Sequence, residues 1–273
     1  MSCQADGSEE QAELYAKIAQ VQRDQGIELI EWAAKDVGSV HGGGPPRAIL
    51  DFGCGTAPLA RSLLALMPGG GLLVCVDPDA QRVERARSDH EEDVASGKMI
   101  IAVADDSSLP AFVEKELPGL RFDLILVNFV IHWVADKRRL FETFASISNP
   151  GALLLVQSPE YLVPLHRRVT EMMADRERGQ TILQRFHMTD GVKETAEAAD
   201  ASGTFAVQQK SLAHVDISYP SLRAYLNWWK ATSHGAFDPG LVPAPKLAAL
   251  EEEYAHGPCV VTEPTFRMML VRA

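Results

Sequence analysis

Between Arg47 and Ser158 the chain alternates between two patterns. Short apolar runs stand at 47-RAILDF-52, 72-LLVCVD-77, 99-MIIAVA-104, 122-FDLILVN-128 and 152-ALLLVQS-158. After each of the first four, apolar positions recur at three- and four-residue spacing, over about 57–67, 79–96, 110–117 and 135–147. Unbroken apolar runs of this length predict strands buried on both faces, and the intervening pattern predicts helices that cover them. The expected architecture is a doubly wound α/β fold around a mostly parallel sheet.

The flanks are patterned differently. From about Glu9 to Lys35 the spacing is helical: Leu14, Ile18 and Val21 are four and three apart, as are Ile27/Ile30 and Leu29/Trp32 at three. Gly26 predicts a break into two helices. The linker 38-GSVHGGGPP-46 follows, with six of its nine residues Gly or Pro. Beyond the fifth strand, 159–202 reads as helices with a charged stretch, 174-ADRERGQ-180. Then 205-FAVQQKSLAHVDISY-219 reads as a strand, 220–255 as helices and 259-CVVTEPTFRMMLVRA-273 as a strand. The sheet is thus expected to have seven strands. The expected organisation is one domain over 1–273: an N-terminal helical cap at 9–36, a core at 45–158, and helical insertions at 159–202 and 219–257 folded as a lid over the strand ends.

Composition narrows the partners. Hydrophobic residues at 46% and charged residues at 23% fit a globular enzyme. A net charge of −11 repels phosphate backbones, so nucleic acid is not an expected partner. No apolar run reaches the roughly 18 residues of a membrane span. Cys3, Cys54, Cys75 and Cys259 are scattered and lack metal-ligand spacing, so they read as reduced thiols and no metal is expected. The polar, acidic N-terminus MSCQADGSEEQ is not a signal peptide, and the expected location is the cytoplasm.

In a doubly wound sheet, ligands bind at the carboxyl ends of the strands. The first strand ends in 51-DFGCGTA-57, where Gly53 and Gly55 let the backbone come close to a ligand. The second ends at Asp77, placed to accept hydrogen bonds from a ribose diol. The third ends in 104-ADDSSLP-110, with Asp105 facing an exocyclic amine, and the fourth in 126-LVNFVIHWV-134. A plain tight turn or a solvated loop explains any one of these; three in series point to a nucleoside ligand. The dinucleotide fingerprint fails because GCGTAP has proline where its third glycine belongs, and no GK[ST] follows to make a P-loop. Asp51, just before the glycines, repels a pyrophosphate and suits a cation.

This series resembles the class I S-adenosylmethionine-dependent methyltransferases over about 45–160. The resemblance implies a Rossmann-like fold and S-adenosyl-L-methionine as cofactor. It implies that Gly53, Cys54 and Gly55 line the methionine part, that Asp51 supports the loop near the amino group, and that Asp77 with Pro78 holds the ribose hydroxyls. Asp105 is implied at the adenine amine with Asp106 contributing backbone, and Asn128 with Phe129 beside the methionine moiety. Ala57 stands where the family has a third glycine. Two further segments, 12-AELYAKIAQVQRDQG-26 and the pair His132-Trp133, are similar to juvenile hormone acid, trans-aconitate and malonyl-carrier-protein methyltransferases. From that likeness Gln22 and Trp133 are implied to hold an acceptor carboxylate.

Methyl transfer to a carboxylate needs no base, since the acceptor is already ionised at neutral pH. A phenol or amine acceptor would use one, and His132 is the candidate, against the competing reading of a structural rim histidine. The aromatic segment 225-YLNWWKATSHGAF-237 suits an apolar acceptor or ordinary packing. Arg167, Arg168 and Arg185 read as solvated surface rather than anion ligands. The expected activity is O-methylation of a small carboxylic acid. The alternatives are another small-molecule oxygen, nitrogen or carbon acceptor, and a non-catalytic partner subunit that kept the fold.

Overall fold

The computed structural model describes residues 20–37, 44–233 and 235–273. The part of the predicted N-terminal helix before Gln20, and most of the Gly/Pro linker, lie outside the described residues. The first described element is α1 (Gln20–Val37), followed by β1 (Ala48–Phe52), α2 (Ala60–Ala65), β2 (Leu72–Asp77), α3 (Ala80–Asp89), α4 (Glu91–Ala95) and β3 (Met99–Val103). Then come α5 (Leu109–Glu116), β4 (Phe122–Asn128), a 3-10 turn (Ile131–Trp133), α6 (Lys137–Ile147) and β5 (Ser148–Pro159). The insertions carry α7 (Pro164–Glu171), α8 (Arg176–Arg185) and α9 (Gly191–Ser202) before β6 (Phe205–Tyr219), and α10 (Leu222–Thr232) and α11 (Ala244–Glu253) before β7 (Cys259–Arg272).

The strands form one seven-stranded sheet in the order β3-β2-β1-β4-β5-β7-β6. β1 to β5 run parallel, and β7 is antiparallel to both β5 and β6. Strand order reverses between β1 and β4, which makes the carboxyl ends of these two strands the crevice of the fold. The two-residue period assigns the faces. Leu50 and Phe52 join a cluster with α5, α6 and α9, whereas Ile49 joins one with α1, α2 and α3. Residues such as Leu73, Val74 and Ile125 are fully buried, as strands covered on both faces must be.

Two expectations about helices are corrected. α1 runs through Gly26 without a break. The glycine serves packing: a Cβ there would lie 2.6 Å from Leu59 Cδ1 and 2.9 Å from Asn128 Nδ2. The helix predicted at 79–96 is interrupted at His90, whose Nε2 lies 3.1 Å from the carbonyl of Ala57.

A third apolar cluster sits under the insertions. It joins α7, α8, α10 and α11 to the paired ends of β6 and β7. Pro159, the last residue of β5, faces Thr265, so Cys259–Pro264 and their β6 partners extend past the end of β5 as a two-stranded wing. This wing stands on the same rim as the carboxyl ends of the parallel strands. Among the described residues no helix is long and apolar enough to cross a membrane.

Candidate functional site

The loop after β1 is held by its backbone. Gly53 and Cys54 both donate N–H to the carbonyl of Val76, at 2.8 and 3.0 Å, and Gly55 N–H donates to Asp77 Oδ2 at 2.8 Å. Gly53 (φ 76°), Gly55 (φ 58°) and Ala57 (φ 54°) are all left-handed. This explains the third-glycine position: Ala57 adopts a conformation that costs an L-residue roughly 1–2 kcal/mol. It also delays helix α2, which starts at Ala60 rather than near 57. Val130 packs so closely over Gly53 that a Cβ there would meet its Cγ2 at 2.2 Å. Cys54 is buried beside this turn.

The rim acids differ in how they are satisfied. Asp77, 4% exposed, accepts from Gly55 N–H and, through Oδ1, from Asp79 N–H at 2.9 Å. Each oxygen keeps a further lone pair for a ligand hydroxyl. Pro78 follows it, exposed. Asp105 takes N–H and hydroxyl bonds from Ser107 and Ser108, all on Oδ1. Partial burial pushes its carboxyl up, but those bonds outweigh it and leave it below the ordinary value. Asp106 is half-buried beside it. Asp51 is different: it is 2% exposed and its Oδ2 has no partner. Burial first, and the nearby Asp77 charge second, raise its pKa to about 7.

β4 ends in a polar network that the sequence reading missed. Asn128 Nδ2 donates to the Gln22 carbonyl of α1 at 3.1 Å, and its Oδ1 accepts from Gln157 Nε2 at 2.9 Å. Gln157 Oε1 in turn accepts from Arg267 Nε at 2.6 Å, and Arg267 also pairs with Glu28 of α1 at 2.6 Å. The chain of bonds thus clamps α1 onto the carboxyl-end residues of β4 and β5 and the middle of β7. Its signal in the sequence is the glutamine closing the apolar run ALLLVQS. Phe129, next to Asn128, has φ 57°, a strained conformation that sequence does not announce. A cavity of about 20 Å³ remains between Gln22, Asp51, Gly53, Cys54, Leu59 and Asn128.

Gln22 is buried on the face of α1 that meets the rim. One turn on, Gln25 is 4% exposed with neither amide atom hydrogen-bonded, a second residue that the sequence reading passed over. His132 and Trp133 lie on the 3-10 turn after β4. His132 is buried, its Nδ1 is hydrogen-bonded to Ser158 Oγ at 2.7 Å, and its ring stacks on Phe186 at 4.8 Å. Burial first, then the Lys137 charge, depress its pKa to about 3. Trp133 is half-buried, meets Phe186 edge-on at 5.9 Å, and packs with Val21 of α1 against the cluster under the insertions.

The insertions resolve two open points. Tyr225, Trp228 and Trp229 are buried in that cluster, with Tyr225 Oη bonded to His166 Nδ1 (2.9 Å) and Trp229 Nε1 to Thr170 Oγ1 (3.0 Å). They form its interior. Arg167, Arg168 and Arg185 are exposed, and Arg168 pairs with Glu253.

The crevice suits a cationic nucleoside. The unpartnered Asp51 Oδ2 beside a second carboxylate favours a positive group and rejects a pyrophosphate. Comparison with known proteins agrees. Residues 19–202 match the family model described as a methyltransferase domain. Malonyl-[acyl-carrier protein] O-methyltransferase of Halalkalibacterium halodurans is 28% identical over 57% of this chain and 55% of its own, so this chain spans about half the length of that relative. Trans-aconitate 2-methyltransferase of Escherichia coli is 25% identical over 67% of this chain and 66% of its own. Magnesium protoporphyrin IX methyltransferase from Synechocystis PCC 6803, solved with bound S-adenosylhomocysteine, shares the fold with a TM-score of 0.53 at 14% identity, covering 94% of this chain and 86% of that one. With a family model matching 19–202 and the methyltransferase strand order around an acid-lined glycine crevice, this chain belongs to the methyltransferase domain family, whose cofactor is S-adenosylmethionine.

Proposed function

We propose that this protein methylates a carboxylate oxygen of a small-molecule acid, giving a methyl ester. The observation that carries the reading is His132. It is the titratable side chain of the 3-10 turn beside Trp133; it is buried, its Nδ1 is bonded to Ser158 Oγ at 2.7 Å, its ring stacks on Phe186, and burial lowers its pKa. A base that weak contributes little to removing a proton from a phenol or an amine at neutral pH. An acceptor that arrives already ionised needs no such help, and carboxylic acids do so above about pH 5. Both sequence relatives carry names of enzymes that act on acids, malonyl-carrier protein and trans-aconitate.

S-adenosylmethionine, when bound, supplies a methyl group activated on a sulfonium. The protein's part is binding, orientation and exclusion of water. Gly53, Cys54 and Gly55 offer close backbone approach, and Asp51 a carboxylate for the ammonium. Asp77 has lone pairs for the ribose hydroxyls. Asp105 and Asp106 stand at the adenine end, and Asn128 and Phe129 at the methionine end. Gln22 and Trp133 hold the acceptor carboxylate where α1 meets the 3-10 turn. The cytosol is the setting we infer, supported by Cys54, Cys75 and Cys259 being buried free thiols.

The test is whether His132 acts as a base. With any acid that turns over, kcat at saturating cofactor is expected to be flat between about pH 6 and 8, and His132→Asn to cost at most severalfold. General base catalysis supplies about a hundredfold or more. A loss of that size in a folded His132→Asn protein would restore the histidine as base and move the acceptor to a phenol or amine.

A further inference from the structure

The wing formed by β6 and β7 carries two buried polar groups that are poorly satisfied among the described residues. Register puts Val215, Ile217 and Tyr219 of β6 opposite Glu263, Val261 and Cys259 of β7, all on one face. That face is the wall of the cluster under the insertions, against which Trp133 and Val21 also pack. Most of the wall is apolar, as expected. Glu263 is not, yet it is 3% exposed, and its hydrogen bond within the protein is a long one, from Thr265 Oγ1 at 3.4 Å. Tyr219, 6% exposed, has no hydrogen-bond partner for its hydroxyl. The neighbouring polar rings are already paired, Tyr225 with His166 and Trp229 with Thr170.

A carboxyl and a phenol left this way oppose folding, because the carboxyl exchanges water for one long bond and the phenol hydroxyl exchanges it for none. Packing does not call for either group: glutamine or phenylalanine would fill the same space. The two lie on the strand extension past Pro159, at the rim where ligands bind in this fold. We infer that Glu263 and Tyr219 form a recognition site for a hydrogen-bond donor, a hydroxyl or a protonated amine, carried by the methyl acceptor away from its reacting carboxylate. The inference deepens the acceptor reading above and rests on it. The donor pairs with the Glu263 carboxylate, while Tyr219, four residues further along the same face, offers its hydroxyl to another polar atom of the acceptor. An acceptor with a plain hydrocarbon tail leaves both unpaired, so the site discriminates by the cost of unmet hydrogen bonds. Desolvation raises the Glu263 carboxyl to about 7, an effect that the long bond from Thr265 only partly offsets.

The test is calorimetric binding to the full chain saturated with S-adenosylhomocysteine. The probes are straight-chain acids from butanoic to dodecanoic, each beside its ω-hydroxy and ω-amino analogue, together with the simple alcohols of the same lengths. A hydrogen bond to a charged group stabilises by about 1.5–3 kcal/mol, which is a preference of about tenfold to a hundredfold. That preference is expected at one chain length or a narrow range of lengths. It should fall to severalfold or less in Glu263→Gln, whose amide oxygen still accepts but carries no charge, and fall severalfold in Tyr219→Phe. Neither variant should unfold, since Glu263→Gln keeps the side chain's shape and Tyr219→Phe removes an unpartnered hydroxyl; their thermal midpoints are expected to stay close to the parent's. The inference is overturned if no length shows a donor preference, or if the preference survives both substitutions at full size. The two proposals separate cleanly. Ester formation without a donor preference leaves carboxylate methylation standing and sinks this site. Alcohol binding that depends on Glu263, with no acid converted to ester, does the reverse.

Discussion

At the rim of the parallel strands, Asp77 takes two backbone N–H groups and Asp105 takes bonds from two serines, whereas under the helical insertions Glu263 has one long contact and the Tyr219 hydroxyl has none. The first region is organised before a ligand arrives. Asp77 braces the glycine loop through Gly55 N–H, and Asp105 braces its own turn. The second region is a packed apolar interior with a few polar atoms in reserve. Preorganised polar groups suit a cofactor that is always the same molecule. Unpaired groups inside an apolar wall suit selection among acceptors, because the wrong acceptor leaves them unmet. Asp51 is the exception at the rim: its Oδ2 has no hydrogen-bond partner among the described residues.

The largest effect that would sharpen this contrast is expected at Gly53. Gly53→Ala puts a methyl 2.2 Å from Val130 at a residue with φ 76°. Strain and overpacking together should destabilise the fold by about 2–4 kcal/mol, read as a lowered denaturation midpoint with loss of cofactor binding. A variant as stable as the parent would break the idea of a tightly built rim.

Next in size is proton linkage at Asp51. Its carboxyl is raised from 3.8 to about 7 in the folded protein. Between about pH 4 and 7 the native state therefore keeps a proton that the unfolded chain has lost. This contribution to stability is fully present below pH 4 and is lost as pH rises to 7. A bound cation favours the ionised form, so cofactor affinity should increase from pH 6 to 8, by at most about tenfold per unit below pH 7. Titration calorimetry in two buffers of different ionisation enthalpy should show proton release at pH 6. Asp51→Asn should abolish both the pH slope and the release; an unchanged slope would remove Asp51 from the ligand site.

The smallest effect is expected at Ala57. Ala57→Gly relieves a left-handed alanine but adds chain entropy and deletes a buried methyl, and the terms of roughly 1 kcal/mol each nearly cancel. Chemical denaturation should place it within about 1 kcal/mol of the parent, with cofactor affinity kept. A large loss would mean that the Ala57 methyl itself packs the loop.

Much of the rim is readable from sequence because it is local. An apolar run that stops at an acid and then at glycines specifies strand, turn and ligand end within ten residues, as 48-AILDFGCGTA-57 does. The network Asn128–Gln157–Arg267–Glu28 is not readable in the same way. Its members lie up to 239 positions apart, and only register brings them together. The aromatic segment around Trp228 and Trp229 was open between ligand wall and interior, and long-range packing on α7 decided for interior. Gly26 shows the opposite failure: its local signal for a helix break is overridden by close packing on Leu59 and Asn128. Glu263 and Tyr219 gave no signal at all, since an acid or a tyrosine where two strands run past the end of a sheet ordinarily faces water.

The most direct test of the central claim is to incubate the purified protein with methyl-labelled S-adenosylmethionine and a panel of small carboxylic acids, and to identify the labelled product by mass spectrometry before and after mild alkali. The account predicts label in a methyl ester that alkali releases as methanol. Label held stably on nitrogen, carbon or an ether oxygen, or no transfer by a protein that binds the cofactor, would contradict it.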